Sequence, residues 1–268
     1  MSALRPHTTS DYMTKPTAAI IPPNMNYGKG TYRRRILMRG LPGCVIAELE
    51  DCFHGFRVTI DHNGSTVSNI IGEALRTPMN TCEGALTPIK ALIGTALDTP
   101  NTAFSSIANP RSNCTHLYDL TVMAIGHACR GEIDWQYDII INDEKDGIID
   151  ASVLRNEELV HHWLVSDGSI QTPKEIAGKP ALKGFSKWAN DTYEGDDFEA
   201  AQALHKGYFV AIALRWDMSA MEGRKVTDYS PRLGICHTYS QKVVGSAYRN
   251  RGAIRDFSNS PEALLKFQ

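Results

Sequence analysis

The stretch 113–130, NCTHLYDLTVMAIGHACR, restricts the fold more than any other part of the chain. At about 100° per residue its apolar side chains fall on nearly every side of a helix. A helix apolar all round is a buried helix, so the rest of the chain must wrap it. Ser112 or Asn113 can cap its start, and Gly131 can end it. Yet His116, Leu120, Met123 and His127 share one narrow sector, with Asp119 one turn from His116 beside it. Buried ionisable groups need partners or a task.

On both sides of this helix the pattern is β. Residues 35–39 read as a short strand, Leu41-Pro42-Gly43 as a turn, and 45–49 alternate apolar and polar. Segments 53–61 and 66–71 flank His62-Asn63-Gly64-Ser65, and Asn-Gly between two β-rich runs signals a hairpin. Phe56, Val58 and Ile60 share one strand face; Arg57, Thr59 and Asp61 share the other. The run Arg33-Arg34-Arg35 reads as an edge strand with solvent-facing charges. Residues 82–94 read as helical, regular from Thr87 because Pro88 is tolerated only in a first turn. Segment 99–112 is a polar lead into the central helix.

After Gly131, residues 133–141 alternate with Trp135, Tyr137, Ile139 and Ile141 on one face. Segments 148–154 and 159–165 complete a second meander, closed by the turn 166–169. Residues 185–192 and 196–214 read as helices, with Gly207 a break or a close-packing point. Segment 217–230 reads as loop, 233–239 as a strand and 243–249 as a short helix. The class is α+β: antiparallel β-meanders packed around a buried central helix, with further helices in the C-terminal half. We expect an extended N-terminal arm over 1–30, then one domain over 31–268 with halves 31–131 and 132–268. The arm is a candidate for contacts in a homo-oligomer.

A net charge of −2 provides no basic field to recruit nucleic acid or an anionic membrane, and three arginines in a row are too few to change that. Neither a membrane span nor an apolar leader core is visible, so a cytoplasmic location is expected. The six cysteines contain no CxxC pair and are expected as free thiols. GxGxxG, P-loop, GxSxG and HExxH signatures are all absent, which favours chemistry without a cofactor.

His116 with Asp119 is the leading acid–base candidate: a carboxylate beside an imidazole fixes its tautomer and raises its basicity. The alternative is that Asp119 caps backbone groups while His116 is a hydrogen-bonded core histidine. His127 is expected to be structural. His54 and Arg57 point to opposite faces of a strand unless Gly55 marks a bulge. Cys82 and Cys236 are filler or nucleophiles, and no feature lowers their pKa. Tyr32, Tyr118, Trp135 and Trp163 line an aromatic pocket or pack the core. His54, His62, Cys82, Cys114, His116 and Asp119 lack tight ligand spacing, so no metal is expected.

The blocks RRRILMRG (33–40), FHGFRVTIDHNG (53–64), ALRTPMNTCEGA (74–85), NCTHLYDL with HAC (113–129) and IRDFS (254–258) occur in that order. Together they resemble a family of bacterial proteins known as a domain of unknown function. Its motif positions fall on His54, Arg57, Arg76, Pro78, Cys82, Cys114, Thr115, His116, Asp119 and His127. The resemblance implies a role in the catabolism of aromatic compounds, as a lyase that releases formaldehyde from a lignin-derived phenylcoumaran. It implies a base at His116 with Asp119, phenolate stabilisation by Arg57 or His54, and ring contacts from Tyr118, Trp135, Tyr32 and Cys82. Competing readings are a non-catalytic protein binding a small aromatic molecule and a metal-dependent hydrolase or lyase.

Overall fold

Two stretches of period-two alternation each fold as four antiparallel strands. The computed structural model describes residues 21–230 and 232–267. The first stretch forms β1 (Thr31–Leu41), β2 (Cys44–Asp51), β3 (Gly55–His62) and β4 (Val67–Arg76). The second forms β5 (Asp134–Asn142), β6 (Ile149–Arg155), β7 (Glu158–Ser166) and β8 (Ser169–Thr172). β1 pairs with β5, which fuses the meanders into one eight-stranded sheet ordered β4-β3-β2-β1-β5-β6-β7-β8. Local chemistry sets the turns. Asn63 Oδ1 accepts from the amides of Ser65 at 3.0 Å and Thr66 at 2.9 Å, closing the Asn-Gly hairpin. Asn156 and Glu157 both adopt positive φ, as a two-residue hairpin twisting with its strands requires.

Three longer helices among the described residues pack against the sheet or one another: α1 (Thr115–Ala128), α2 (Phe185–Thr192) and α3 (Gly195–Ala211); a single helical turn, Phe104–Ile107, precedes them. α1 lies over β1–β3 and α3 over β5–β7, so each meander has its own helix. Tyr32, Ile36 and Met38 of β1, Phe56, Val58 and Ile60 of β3, and Tyr137, Ile139 and Ile141 of β5 are buried on the sheet. Leu117, Leu120 and Ala124 of α1 are fully buried, at 0% exposure. Burying each leucine side chain stabilises the fold by about 1.5–3 kcal/mol. Gly207 serves close packing: a Cβ there would lie 2.6 Å from Ile139 Cγ2, so α3 could not approach β5 as it does. The C-terminal segment crosses the other face of the sheet, where Glu50 accepts the amide of Leu265 at 2.5 Å and Ser258 donates to the Thr31 carbonyl at 3.1 Å.

The α+β architecture is as expected, but several local expectations are corrected. β1 is a central strand rather than an edge, because β5 pairs with its free side; Arg34 therefore points inward and is buried. Residues 82–94 form no α-helix but two 3₁₀ turns, Cys82–Leu86 and Pro88–Leu92, consistent with Pro88 having no amide hydrogen to continue a helix. The segment 166–169 turns into a fourth strand, β8. Residues 233–239 form bends and turns rather than a strand, and 243–249 hold the 3₁₀ turn Val244–Ser246 followed by bridges at Tyr248 and Arg249. Residues 1–20 of the expected arm, with the oligomer contacts assigned to it, lie outside the described residues. Among the described residues no helix is long and apolar enough to cross a membrane.

Candidate functional site

The period-two pattern of β1 and β2 turns charge inward at their paired ends. Ile36 faces Leu49, and two residues along, Arg34 faces Asp51 on the same side. Both are buried, at 2% and 0% exposure. Arg34 donates from Nη2 at 2.6 Å and from Nε at 3.0 Å to Asp51 Oδ2, which also accepts the Tyr32 hydroxyl at 2.9 Å. Asp51 Oδ1 accepts the amides of Phe53 at 2.8 Å and His54 at 2.9 Å, and faces His54 Nδ1 at 3.0 Å. Burial alone would raise the Asp51 carboxyl, but His54 and Arg34 outweigh it and hold the group well below the usual carboxylate range. An ionised Asp51 makes His54 Nδ1 the donor and leaves Nε2 as the free nitrogen. Arg76 fixes the same turn from behind, donating to the carbonyls of Asp51 at 2.6 Å, Cys52 at 3.1 Å and His54 at 3.3 Å while pairing with Glu50 at 2.9 Å.

The second imidazole comes from α1. His116, in the first turn, stacks on His54 with ring centroids 3.9 Å apart and an interplanar angle of 29°. His54 is buried, whereas His116 keeps partial exposure. Desolvation drives the His116 pKa well below the ordinary value, and the charges of His54 and Arg34 add to that against the opposing pull of Asp51. His116 therefore favours its neutral form. Its Nδ1 lies 3.9 Å from Cys114 Sγ, whose thiol burial pushes up.

Asp119 does not orient His116: its carboxylate pairs with Lys206 of α3 at 2.7 Å, tying the two helices together. The carboxylate beside the imidazoles is Asp51, from the sheet. Arg57 also leaves the site. Strand alternation sends Phe56 toward α1 and Arg57 to the other face, where Glu48 at 2.8 Å and Glu73 at 3.5 Å hold it. Tyr118 lies about 200° around α1 from His116, and burial raises its phenol to about 12. Trp135 pairs with Met38, four residues along β1 from Arg34, roughly 13 Å at strand rise. There the centre of its ring lies 4.6 Å from the guanidinium carbon of Arg130 and 4.9 Å from that of Arg155. His127 Nε2 bonds the Ile133 carbonyl at 2.9 Å. Tyr32 joins the site through Asp51. Cys82 lies on its Cys114 side, 3.5 Å from Thr238 Oγ1, and burial pushes its thiol up to about 11.

The residues that sequence reasoning passed over are Arg34 and Asp51. Extending the inward set Val45, Ala47, Leu49 by one step reaches Asp51; extending Met38 and Ile36 the other way reaches Arg34. A cleft of about 230 Å³ opens on the opposite face of the sheet, among Arg33, Arg35, Asp138, Pro261 and Leu264. Neither His54 nor His116 lines it, although Arg34 does, and Arg35 and Asp138 neutralise each other there at 2.7 Å. Among the described residues no group of three or more His, Cys, Asp or Glu side chains is placed to hold a metal ion. What remains is a stacked imidazole pair with one ring oriented by a carboxylate and the other neutral, an arrangement suited to moving protons.

No family model, curated protein or solved structure matches this chain.

Proposed function

We propose that the protein is a cofactor-independent acid–base enzyme, a carbon–carbon lyase acting on a lignin-derived phenylcoumaran with release of formaldehyde. One observation carries the reading: neutral His116 stacked at 3.9 Å on His54, itself anchored to Asp51. The reaction is redox-neutral and consists of proton transfers around two bond cleavages. Loss of the substrate's phenol proton to His116 lets the furan C–O bond break, giving a quinone methide and an aryl oxide. The aryl oxide takes back a proton from the imidazole pair. A base then takes the proton of the hydroxymethyl group, the C–C bond breaks, and formaldehyde leaves. The electrons of the broken C–C bond restore the aromatic ring and give a stilbene phenolate, which takes the second proton back from the imidazole pair. Each proton taken up is returned, so the pair ends as it began. Asp51 supports whichever charge His54 carries during transfer. Six free thiols among the described residues fit the reducing cytoplasm.

The test is incubation of the protein with a phenylcoumaran, assaying formaldehyde and the stilbene absorbance. Stoichiometric release of both, abolished in His116→Ala, supports the lyase. Binding without turnover would leave the non-catalytic reading in its place.

A further inference from the structure

Arg34 and Arg76 are buried arginines with buried acids, Asp51 at 2.6 Å and Glu50 at 2.9 Å. Arg249 is different. It is 4% exposed and no carboxylate among the described residues pairs with it, while its Nε, like that of Arg76, is buried without a hydrogen-bond partner. A bridge between Arg249 and Met79 sets it beside the apolar cluster of Met79, Cys82, Met221, Val226 and Tyr229. Its guanidinium carbon lies 5.4 Å from the centre of the Phe53 ring, and its polar neighbours are the Tyr229 phenol and the Cys52 and Cys82 thiols.

Two chains of neighbours lead from Arg249 to the imidazoles. Along one, Phe53 precedes His54, with ring centroids 6.3 Å apart. Along the other, the charge of Arg249 reaches Cys82, which acts electrostatically on Cys114, and Cys114 lies 3.9 Å from His116. A guanidinium taken out of water without an anion is costly, and a purely structural one carries its acid with it, as Arg34 and Arg76 do.

We propose that Arg249 is the anion receptor of the imidazole site, pairing with an oxyanion carried on an aromatic ring, a phenolate or a carboxylate. This rests on the reading of the site as one for aromatic substrates. The guanidinium offers a planar fork for such an oxygen, and the Phe53 ring offers an apolar wall beside it. It takes over the role expected of Arg57, which Glu48 and Glu73 occupy.

Two probes separate the anion types: benzoate for a carboxylate, and 4-nitrophenol, whose visible absorbance reports ionisation, for a phenolate. Each is titrated into wild type, Arg249→Lys and Arg249→Met, with benzamide as a neutral control. At least one anion should bind wild type, at least tenfold more weakly to Arg249→Met, with Arg249→Lys between them. If the phenolate is the ligand, bound 4-nitrophenol should ionise at lower pH than free. Arg249→Met without ligand should melt no lower than wild type, because an unpaired buried charge has been removed. Equal binding by wild type and Arg249→Met, failure of both anions to bind wild type, or a marked drop in the Arg249→Met melting temperature would each overturn the proposal. Anion binding without formaldehyde release would remove the lyase and leave this receptor standing. Unchanged formaldehyde release by Arg249→Met would do the reverse.

Discussion

α1 and α3 lie on one face of the sheet, each over its own meander, yet the two halves settle their buried charge in opposite ways. Under α3 the acid comes from the helix: Glu199 accepts from Tyr137 at 2.9 Å and Arg130 at 3.1 Å, and burial raises its carboxyl pKa. Under α1 the acid comes from the sheet, and Asp51 stays ionised between Arg34 and His54. The histidines divide similarly. His205 stacks on Phe185 at 4.1 Å and donates Nδ1 to the Ala181 carbonyl; His127 and His161 also bond backbone carbonyls. His54 bonds a carboxylate instead, and the neighbour of His116 is a thiol. His162 also bonds an acid, Asp150 at 3.1 Å, but it is exposed; His54 and His116 are the two that stack on each other beside a buried carboxylate.

The largest effect should come from exchanging the two acids for amides. Asp51→Asn leaves Arg34 buried without an anion and should cost about 3–5 kcal/mol of stability. Glu199→Gln can keep an acceptor for Tyr137, while Arg130 retains Asp196 at 2.6 Å, so about 1 kcal/mol is expected. Chemical denaturation of both variants measures the contrast. Similar losses would mean that the halves do not differ in this way.

A smaller difference separates the histidines. His116→Gln should lower formaldehyde release at least 100-fold, the lower end of what a positioned acid–base group contributes. His205→Gln should leave turnover intact and act on stability. Burial lowers His205 from 6.5 to about 4, against the hydrogen bond that its Nδ1 donates to the Ala181 carbonyl. Below about pH 6.5 the unfolded chain therefore binds a proton that the folded chain refuses. The stability contribution is complete above that pH and is lost as the pH falls through about 4, by about 3 kcal/mol over the window. Denaturation midpoints of His205→Gln should fall less steeply between those values. An unchanged slope would show that His205 does not titrate there.

These contrasts also explain what could be read from the chain. Local patterns carried the strands, the Asn63-Gly64 hairpin and α1, because alternation and periodicity are properties of neighbouring residues. The β1–β5 pairing was not legible, since it joins residues about a hundred positions apart and leaves no local mark. That one pairing turned a supposed edge strand into the middle of the sheet and made Arg34 a buried group. His116 was visible as a polar residue on a buried helix, but its partner was sought on the same helix. Helical spacing suggested Asp119; the actual carboxylate, Asp51, reaches it through His54 from another element.

Asp119 and Lys206 provide the finest test, because they join the helices of the two halves. Their side chains are 29% and 32% exposed, so the ion pair should contribute only about 0.2–1 kcal/mol. Asp119→Asn should therefore cost under about 1 kcal/mol and leave turnover within a few-fold of wild type. Its electrostatic effect has a definite sign. The Lys206 charge lowers the His116 pKa, so Lys206→Met should move the acidic limb of the pH–rate profile to higher pH. Asp119→Asn leaves that charge uncompensated and should move the limb the other way. Opposite displacements of the two profiles would confirm that the pair acts on His116 through its field. A collapse of turnover in Asp119→Asn at full stability would instead restore Asp119 to the catalytic role its position one turn from His116 first suggested.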